Sequence, residues 1–203
     1  MRRRTFDALV SGAGLLLVAV LLVAGGLLTW AHNFTANEVS SQLSSQNIVF
    51  PTTSSASFTA LPKADQAAMA PYAGQRMTTG AQAQVWADNY IAVHLREIGG
   101  GKTYSQLSAE SMAQPGNAAL KSTVQTVFQG TTLRSMLLEA YAFGTMGQIA
   151  LISAIASYIG AGLLLALSLL GFAHLRRTGP DAVVLPKVTR TGLAARTPSG
   201  ATA

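Results

Sequence analysis

Two long stretches without formal charge constrain the fold of this chain more than any other feature. The first, Ala8–Trp30, has 23 residues, and the second, Ala140–Leu175, is longer still. About 20 apolar residues in an α-helix cross the roughly 30 Å hydrocarbon layer of a bilayer. A buried helix of a soluble protein is the alternative, but two such stretches in one chain argue against it. We therefore predict an all-α membrane protein in which two transmembrane helices flank a small helical extracytoplasmic domain.

Composition agrees with this prediction and excludes several kinds of chemistry. Charged residues make up 11% of the 203 residues, whereas a soluble domain usually carries about a quarter. The chain contains no cysteine. Disulfide frameworks, thiol nucleophiles and thiolate metal sites are therefore excluded.

The distribution of charge predicts the orientation in the membrane. The two tails hold eight basic and two acidic residues, whereas the segment between the apolar stretches holds six of each. Basic residues that flank a span stay on the cytoplasmic side. We expect a multi-pass plasma-membrane protein with the N-terminus and the C-terminus in the cytoplasm. Nucleic acid is not an expected partner, because its binding requires basic residues clustered on one folded face.

The first apolar stretch is predicted to be an uncleaved anchor and not a signal peptide. Its apolar core is longer than the 7 to 15 residues that are typical of a signal peptide, and no clear small-x-small cleavage site follows Trp30. The chain then divides into six segments. They are a basic cytoplasmic N-terminus (1–7), transmembrane helix 1 (8–30), a loosely ordered Ser/Thr-rich stalk (31–62), a small helical domain (63–139), transmembrane helix 2 (140–175, with about 146–172 in the membrane) and a disordered basic cytoplasmic tail (176–203).

The outer domain is predicted to consist of short capped helices. Thr79 is placed to cap a helix that runs to Ile98, with an apolar stripe on one face. The stripe contains Ala83, Ala87, Ile91, Leu95 and Ile98. Asn117 is placed to cap a later helix, 118–128, with Leu120, Val124, Val127 and Phe128 facing inward and Gly130 ending it. A last helix then continues unbroken into the second span.

The sequence "GGGKT" at Gly99–Thr103 resembles the end of a phosphate-binding loop. That motif requires a glycine five positions before Gly101, where this chain has Arg96, and it follows a strand. We expect the glycines to end one helix and Thr103 to begin the next, 104–113, in a capping box with Gln106. No nucleotide partner is predicted.

Two quoted segments carry a resemblance. "QAQVWADNYIAVHLREIGGGKTYSQLS" and "TVFQGTTLRSMLLEAYAFGTMGQIA", which lie within Gln82–Ala150, resemble a group of actinobacterial two-span membrane proteins of unknown function. The group often carries the label "aromatic ring-opening dioxygenase". The resemblance implies two spans around an outer domain, and it implies no activity.

The residues do not supply the site that this label would require. A ring-opening non-haem iron enzyme binds its metal with two histidines and a carboxylate. Of the three histidines, His32 and His174 are predicted at opposite membrane interfaces, and His94 alone lies in the outer domain. We predict no catalytic residue, no metal, no cofactor and no enzymatic activity.

Four residues are candidates for contact with a ligand or partner: His94, Tyr104, Arg134 and Gln148. His94 can donate a hydrogen bond or titrate near neutral pH, but the favoured interpretation is a histidine bonded to a carbonyl group or to Tyr104. Tyr104 is predicted to be a core aromatic residue with its hydroxyl at the surface. Arg134 is expected to pair with a carboxylate of the outer domain or to lie at the headgroups. Gln148 is expected to bond to the other span or to a partner subunit.

Small residues in both spans permit close helix packing. Ser153, Ser157 and Ala161 recur at four-residue spacing, and Gly12, Gly14, Gly25 and Gly26 lie in the first span. Such residues let helix backbones approach each other. Pairing of the two spans within one chain and formation of a homo-oligomer both remain open.

The spans contain no Asp, Glu, Lys or Arg, which argues against an ion or proton pathway through this chain alone. Two functions remain. The first is an accessory or scaffold subunit of a bacterial membrane complex, with the lipid bilayer and other membrane subunits or a homo-oligomer as partners. The second is a receptor-like module whose outer domain binds a small ligand or an envelope lipid.

Overall fold

The computed structural model describes residues 3–177. Residues 1–2 and 178–203 lie outside the described residues, and so does most of the predicted disordered tail. The described chain is helical, without a β-strand, and has one isolated antiparallel bridge between Val49 and Arg76. Its helices are α1 (Arg3–Ser45), α2 (Ala56–Thr59), α3 (Lys63–Met69), a 3-10 turn (Ala70–Tyr72), α4 (Gly80–Trp86), a π-helical turn (Ala87–Ile91), α5 (Ala92–Ile98), α6 (Tyr104–Ala113) and α7 (Ala118–Arg177).

Helices α1 and α7 are long and apolar enough to cross a membrane, as judged by length and composition. With 43 and 60 residues, they are about 65 Å and 90 Å long at a rise of 1.5 Å per residue. Each helix is therefore longer than a bilayer requires. The expected helical class and the two apolar helices are confirmed.

The prediction of a loosely ordered stalk over 31–62 is wrong, because α1 continues past Trp30 to Ser45. Val39 and Leu43 of this extension are buried in the hydrophobic core. The hydroxyl of Thr35 donates to the carbonyl of Ala31 at 2.6 Å and so satisfies its own polar group within the helix. Tertiary packing at four-residue spacing therefore overrides the low helix propensity of a Ser/Thr-rich segment.

The remainder of the predicted stalk is also ordered. Phe50, Phe58 and Leu61 are buried in the same core. The amide of Phe50 donates to the carbonyl of Gln75 at 2.9 Å, and the amide of Met77 donates to the carbonyl of Ile48 at 2.9 Å. This loop is therefore tied to the chain that precedes α4.

The predicted helix end at Gly130 is wrong, since α7 runs through this residue to Arg177. A Cβ atom at Gly130 would overlap the side chain of Leu95. The glycine therefore permits α5 and α7 to approach each other and does not terminate a helix. The predicted cap is confirmed, because the side-chain oxygen of Asn117 accepts from the amide of Leu120 at 3.0 Å.

The predicted apolar stripe of the 79–98 helix is confirmed in its first half. Ala83, Ala87 and Ile91 are buried, but Ile98 is exposed and Val93 is buried instead. The π-helical turn at Ala87–Ile91 adds a residue to one turn and rotates the buried face of α5. Phe128, which was predicted to face inward, is also exposed.

The contacts divide the chain into two compact units. The large unit, residues 22–158, contains the hydrophobic core, in which α1, the helices from α2 to α5 and α7 meet around Met69, Met77 and Leu137. A Cβ atom at Gly80 would lie 2.8 Å from the carbonyl oxygen of Ala140. The start of α4 therefore rests directly on the backbone of α7.

The small unit is described over residues 3–21 and 159–177. A Cβ atom at Gly14 would overlap the hydroxyl of Ser168, and one at Gly171 would overlap the hydroxyl of Ser11. Each helix thus places a serine opposite a glycine of the other. Pairing of the two apolar helices within one chain, one of the two arrangements expected for the small residues, is present in this unit.

Candidate functional site

His94 is hydrogen-bonded to a backbone carbonyl four residues earlier, as the favoured interpretation predicted. Its Nδ1 atom lies 2.7 Å from the carbonyl oxygen of Tyr90, and the two rings are 4.4 Å apart. The pair continues a series of ring contacts through Trp86 to Phe50, with centroid distances of 4.4 and 5.1 Å. The histidine therefore extends an aromatic cluster that joins the loop after α1 to α4, the π-helical turn and α5.

Tyr104 is not a core residue, so that prediction is wrong. Its side chain is 40% exposed, and its ring packs against Phe128 at 5.4 Å. The reason is that α6 buries Leu107, one turn further along the helix. Neither His94 nor Tyr104 lines the cavities described below.

Arg134 forms the predicted ion pair with a carboxylate. Its Nη2 atom lies 2.6 Å from Asp88 Oδ1, and its Nε donates to the carbonyl of Ala87 at 3.2 Å. The same carbonyl accepts the amide of Ala92 that closes the π-helical turn. Arg134 therefore fastens α7 to this turn, a structural role for the residue.

The "GGGKT" segment terminates one helix and begins another. Gly100 and Gly101 have φ angles of 58° and 79°, and the amide of Gly101 donates to the carbonyl of Arg96 at 2.7 Å. Thr103 and Gln106 form the predicted capping box. Lys102 pairs with Glu110 at 2.7 Å. Each part of the motif thus has a structural partner.

Gln148 is exposed at a cavity of about 390 Å³ beside the start of α4. The cavity is also lined by His32, Thr79 and Tyr141. His32 Nδ1 lies 2.9 Å from the carbonyl oxygen of Gly147. It is therefore His32 that links α1 to α7 at this level of the large unit.

An open groove between α1 and α7 is the strongest candidate for a binding surface. It belongs to the large unit and has a volume of about 390 Å³. We call it the α1–α7 groove. From α1 it is lined by Phe34, Thr35, Glu38, Val39, Gln42 and Leu43, from α7 by Leu133, Met136, Leu137, Glu139, Ala140 and Phe143, and from the loop after α1 by Gln46 and Ile48.

The charge of the groove has one sign. Glu38 and Glu139 line it, and no Lys, Arg or His is among the described residues that line it. The amide nitrogen of Gln42 donates to Glu38 at 2.6 Å and holds that carboxylate beside the apolar wall. The groove therefore combines an apolar floor with two acidic groups.

The sequence contained a partial signal for this groove. Phe34, Glu38, Gln42 and Gln46 recur at four-residue spacing, and Val39 and Leu43 follow the same period. The signal was missed because the segment was predicted to be a stalk, and a stalk has no helical face.

A further cavity of about 430 Å³ lies in the small unit, where Asp7, Ser11, Ser168 and His174 line it together with apolar residues. The buried Oδ2 atom of Asp7 has no hydrogen-bond partner within the part of the chain that the structure describes. Among the described residues, no group of three or more His, Asp or Glu side chains is arranged to hold a metal ion.

Comparisons with known proteins give no relative. The chain matches no family model, and no curated protein or solved structure is significantly similar to it.

Proposed function

We propose that this chain is a plasma-membrane protein that crosses the bilayer twice, with both termini in the cytoplasm and its short helices outside. Two observations support the proposal. Helices α1 and α7 have the length and composition of spans, and the net charge of +6 resides in the tails. Basic flanking residues remain cytoplasmic, and the resemblance to the actinobacterial two-span group implies the same arrangement of two spans around an outer domain.

We further propose that the protein is a non-catalytic accessory subunit of a larger membrane complex. The α1–α7 groove is the observation that carries this proposal. Phe34 and Met136 line it while being 55% and 61% exposed. Contiguous exposed apolar residues on a folded surface are typical of a site for another molecule. His94, the candidate with the most chemical potential in the sequence, is bonded to the carbonyl of Tyr90, and Arg134 is paired with Asp88.

The orientation is testable with single cysteines, because the chain has none of its own. Met112 on α6 is 75% exposed, and Thr5 is exposed near the start of α1. In sealed right-side-out vesicles, a membrane-impermeant maleimide should label Met112→Cys at once and Thr5→Cys only after permeabilisation. The reverse pattern would overturn the proposed orientation.

The accessory role predicts a native assembly larger than one chain. After solubilisation of native membranes in a mild detergent, the tagged protein should migrate well above a 21.1 kDa chain in its micelle, and a harsh detergent should reduce it to that size. Mass spectrometry of the larger species should identify a second polypeptide. Migration as a single chain under both conditions would contradict the proposal.

A receptor-like module is the second candidate, and the size of the groove favours it. Small-molecule sites usually have volumes of about 300 to 1,000 Å³, and the groove has about 390 Å³. A protein that migrates alone and is stabilised by a small ligand or an envelope lipid would establish this alternative.

A further inference from the structure

The shape of the α1–α7 groove is that of a slot between two antiparallel helices. Gly25 lies against Tyr158 and Thr35 against Gly147, so residue numbers rise along α1 as they fall along α7. The lining extends on α1 from Phe34 to Leu43 and on α7 from Leu133 to Phe143, which is about 14 to 15 Å at 1.5 Å per residue. A slot of this length and direction fits about three turns of a third helix.

The walls of the slot suit an apolar helix face. Phe34, Leu133, Met136 and Phe143 are lining residues whose side chains are exposed. Methionine is unbranched and polarisable, so it adapts to the shape of a partner. Amphipathic helices bind such grooves through apolar residues spaced at i, i+3 or i+4, and i+7.

The charge of the slot argues against a second copy of this chain as the occupant. A symmetric dimer through this face would bring Glu38 and Glu139 of both copies into one interface. Like charges placed together across an interface oppose association. The two carboxylates instead complement a partner that carries Lys or Arg.

We propose that the α1–α7 groove binds an amphipathic helix of a different subunit, with basic residues flanking its apolar face. This inference rests on the proposed accessory function and specifies the chemistry of the partner. The apolar face of the helix packs on Leu133, Met136 and Phe143, and its basic residues pair with Glu38 and Glu139.

The test uses two synthetic peptides of about 18 residues, which as helices of about 27 Å span the whole groove. Both have the same Leu/Ala face, with Lys flanking it in one and Glu in the other. Their affinities for the full chain in nanodiscs are measured by fluorescence anisotropy. We expect the Lys peptide to bind about tenfold more tightly, because each exposed charge pair contributes modestly and the Glu peptide is repelled.

Matched variants separate charge from shape. The double substitution Glu38→Gln and Glu139→Gln should remove the preference for Lys, whereas Glu97→Gln, exposed on α5 and outside the groove, should retain it. Met136→Ser should weaken the binding of both peptides. Met112→Ser, at an exposed position of α6, should weaken the binding of neither.

The proposal would be overturned if the two peptides bound with equal affinity or if neither peptide bound. If dodecyltrimethylammonium stabilises the protein and the Lys peptide does not bind, the groove is a site for cationic amphiphiles and not for a helix. If no peptide binds but the native assembly persists, the accessory role stands and only the assignment of its interface fails.

Discussion

Gly80→Ala is expected to destabilise the large unit by about 3 kcal/mol, the upper part of the usual range for an overpacked site. The added Cβ would lie 2.8 Å from the carbonyl oxygen of Ala140 and 3.0 Å from the Cα of Tyr141. Both atoms belong to the backbone of α7 and cannot rotate away. Helix propensity alone predicts the opposite sign, since alanine is favoured over glycine by about 1 kcal/mol within a helix.

Unfolding of this variant is measured through Trp86, which packs against the core. The chain has two tryptophans, so a Trp30→Phe background leaves Trp86 as the single reporter. Gly116→Ala is the matched control, because nothing lies within 4 Å of its added Cβ. Equal unfolding midpoints for the two glycine variants would show that α4 does not rest on the backbone of α7.

Phe50→Ala is expected to be the most damaging truncation, with a loss of about 3 to 5 kcal/mol. Its side chain is 1% exposed, and its ring lies 5.4 Å from that of Tyr72 and 5.1 Å from that of Trp86. Removal of the ring leaves a cavity where the loop after α1 packs against the 3-10 turn and α4. The surrounding rings then lose contacts that water cannot replace.

Phe34→Ala provides the matched comparison, because the same atoms are removed from an exposed site. In chemical denaturation followed by Trp86 fluorescence, Phe34→Ala should shift the midpoint little and Phe50→Ala strongly. Similar shifts would mean that the loop containing Phe50 is not part of the core.

Local features of this fold were predictable because they depend on neighbouring residues. Thr79, Thr103 and Asn117 each cap the helix that was expected to begin there. Each cap is a hydrogen bond between a side chain and the amide three residues later, so it can be predicted from the local sequence alone. The two apolar helices follow equally from composition over one stretch of sequence.

Features that depend on distant partners were not predictable in the same way. The 31–45 segment is helical because Val39 and Leu43 reach a core built largely from later residues. Gly130 looked like a helix end, and only the position of Leu95 shows why it is a glycine. The α1–α7 groove was missed for the same reason, since neither helix forms it alone. The spacing of Phe34, Glu38 and Gln42 places them on one face of α1, and this face becomes a wall of the groove only when α7 lies beside α1.

The contact between Gly80 and the backbone of α7 has a consequence for how this chain tolerates change in length. Leu137 is anchored in the core, and Gly144, two turns later, faces Gly80, with its Cβ position 3.4 Å from the Cα of Gly80. Each residue added to an α-helix turns the remainder of that helix by about 100°. An insertion between Leu137 and Gly144 would therefore turn Gly144 away from Gly80 and bring a bulkier side chain to this close contact. The rotational phase of α7 is fixed at these two points, so we expect an insertion in this part of α7 to destabilise the large unit more than an insertion in a loop.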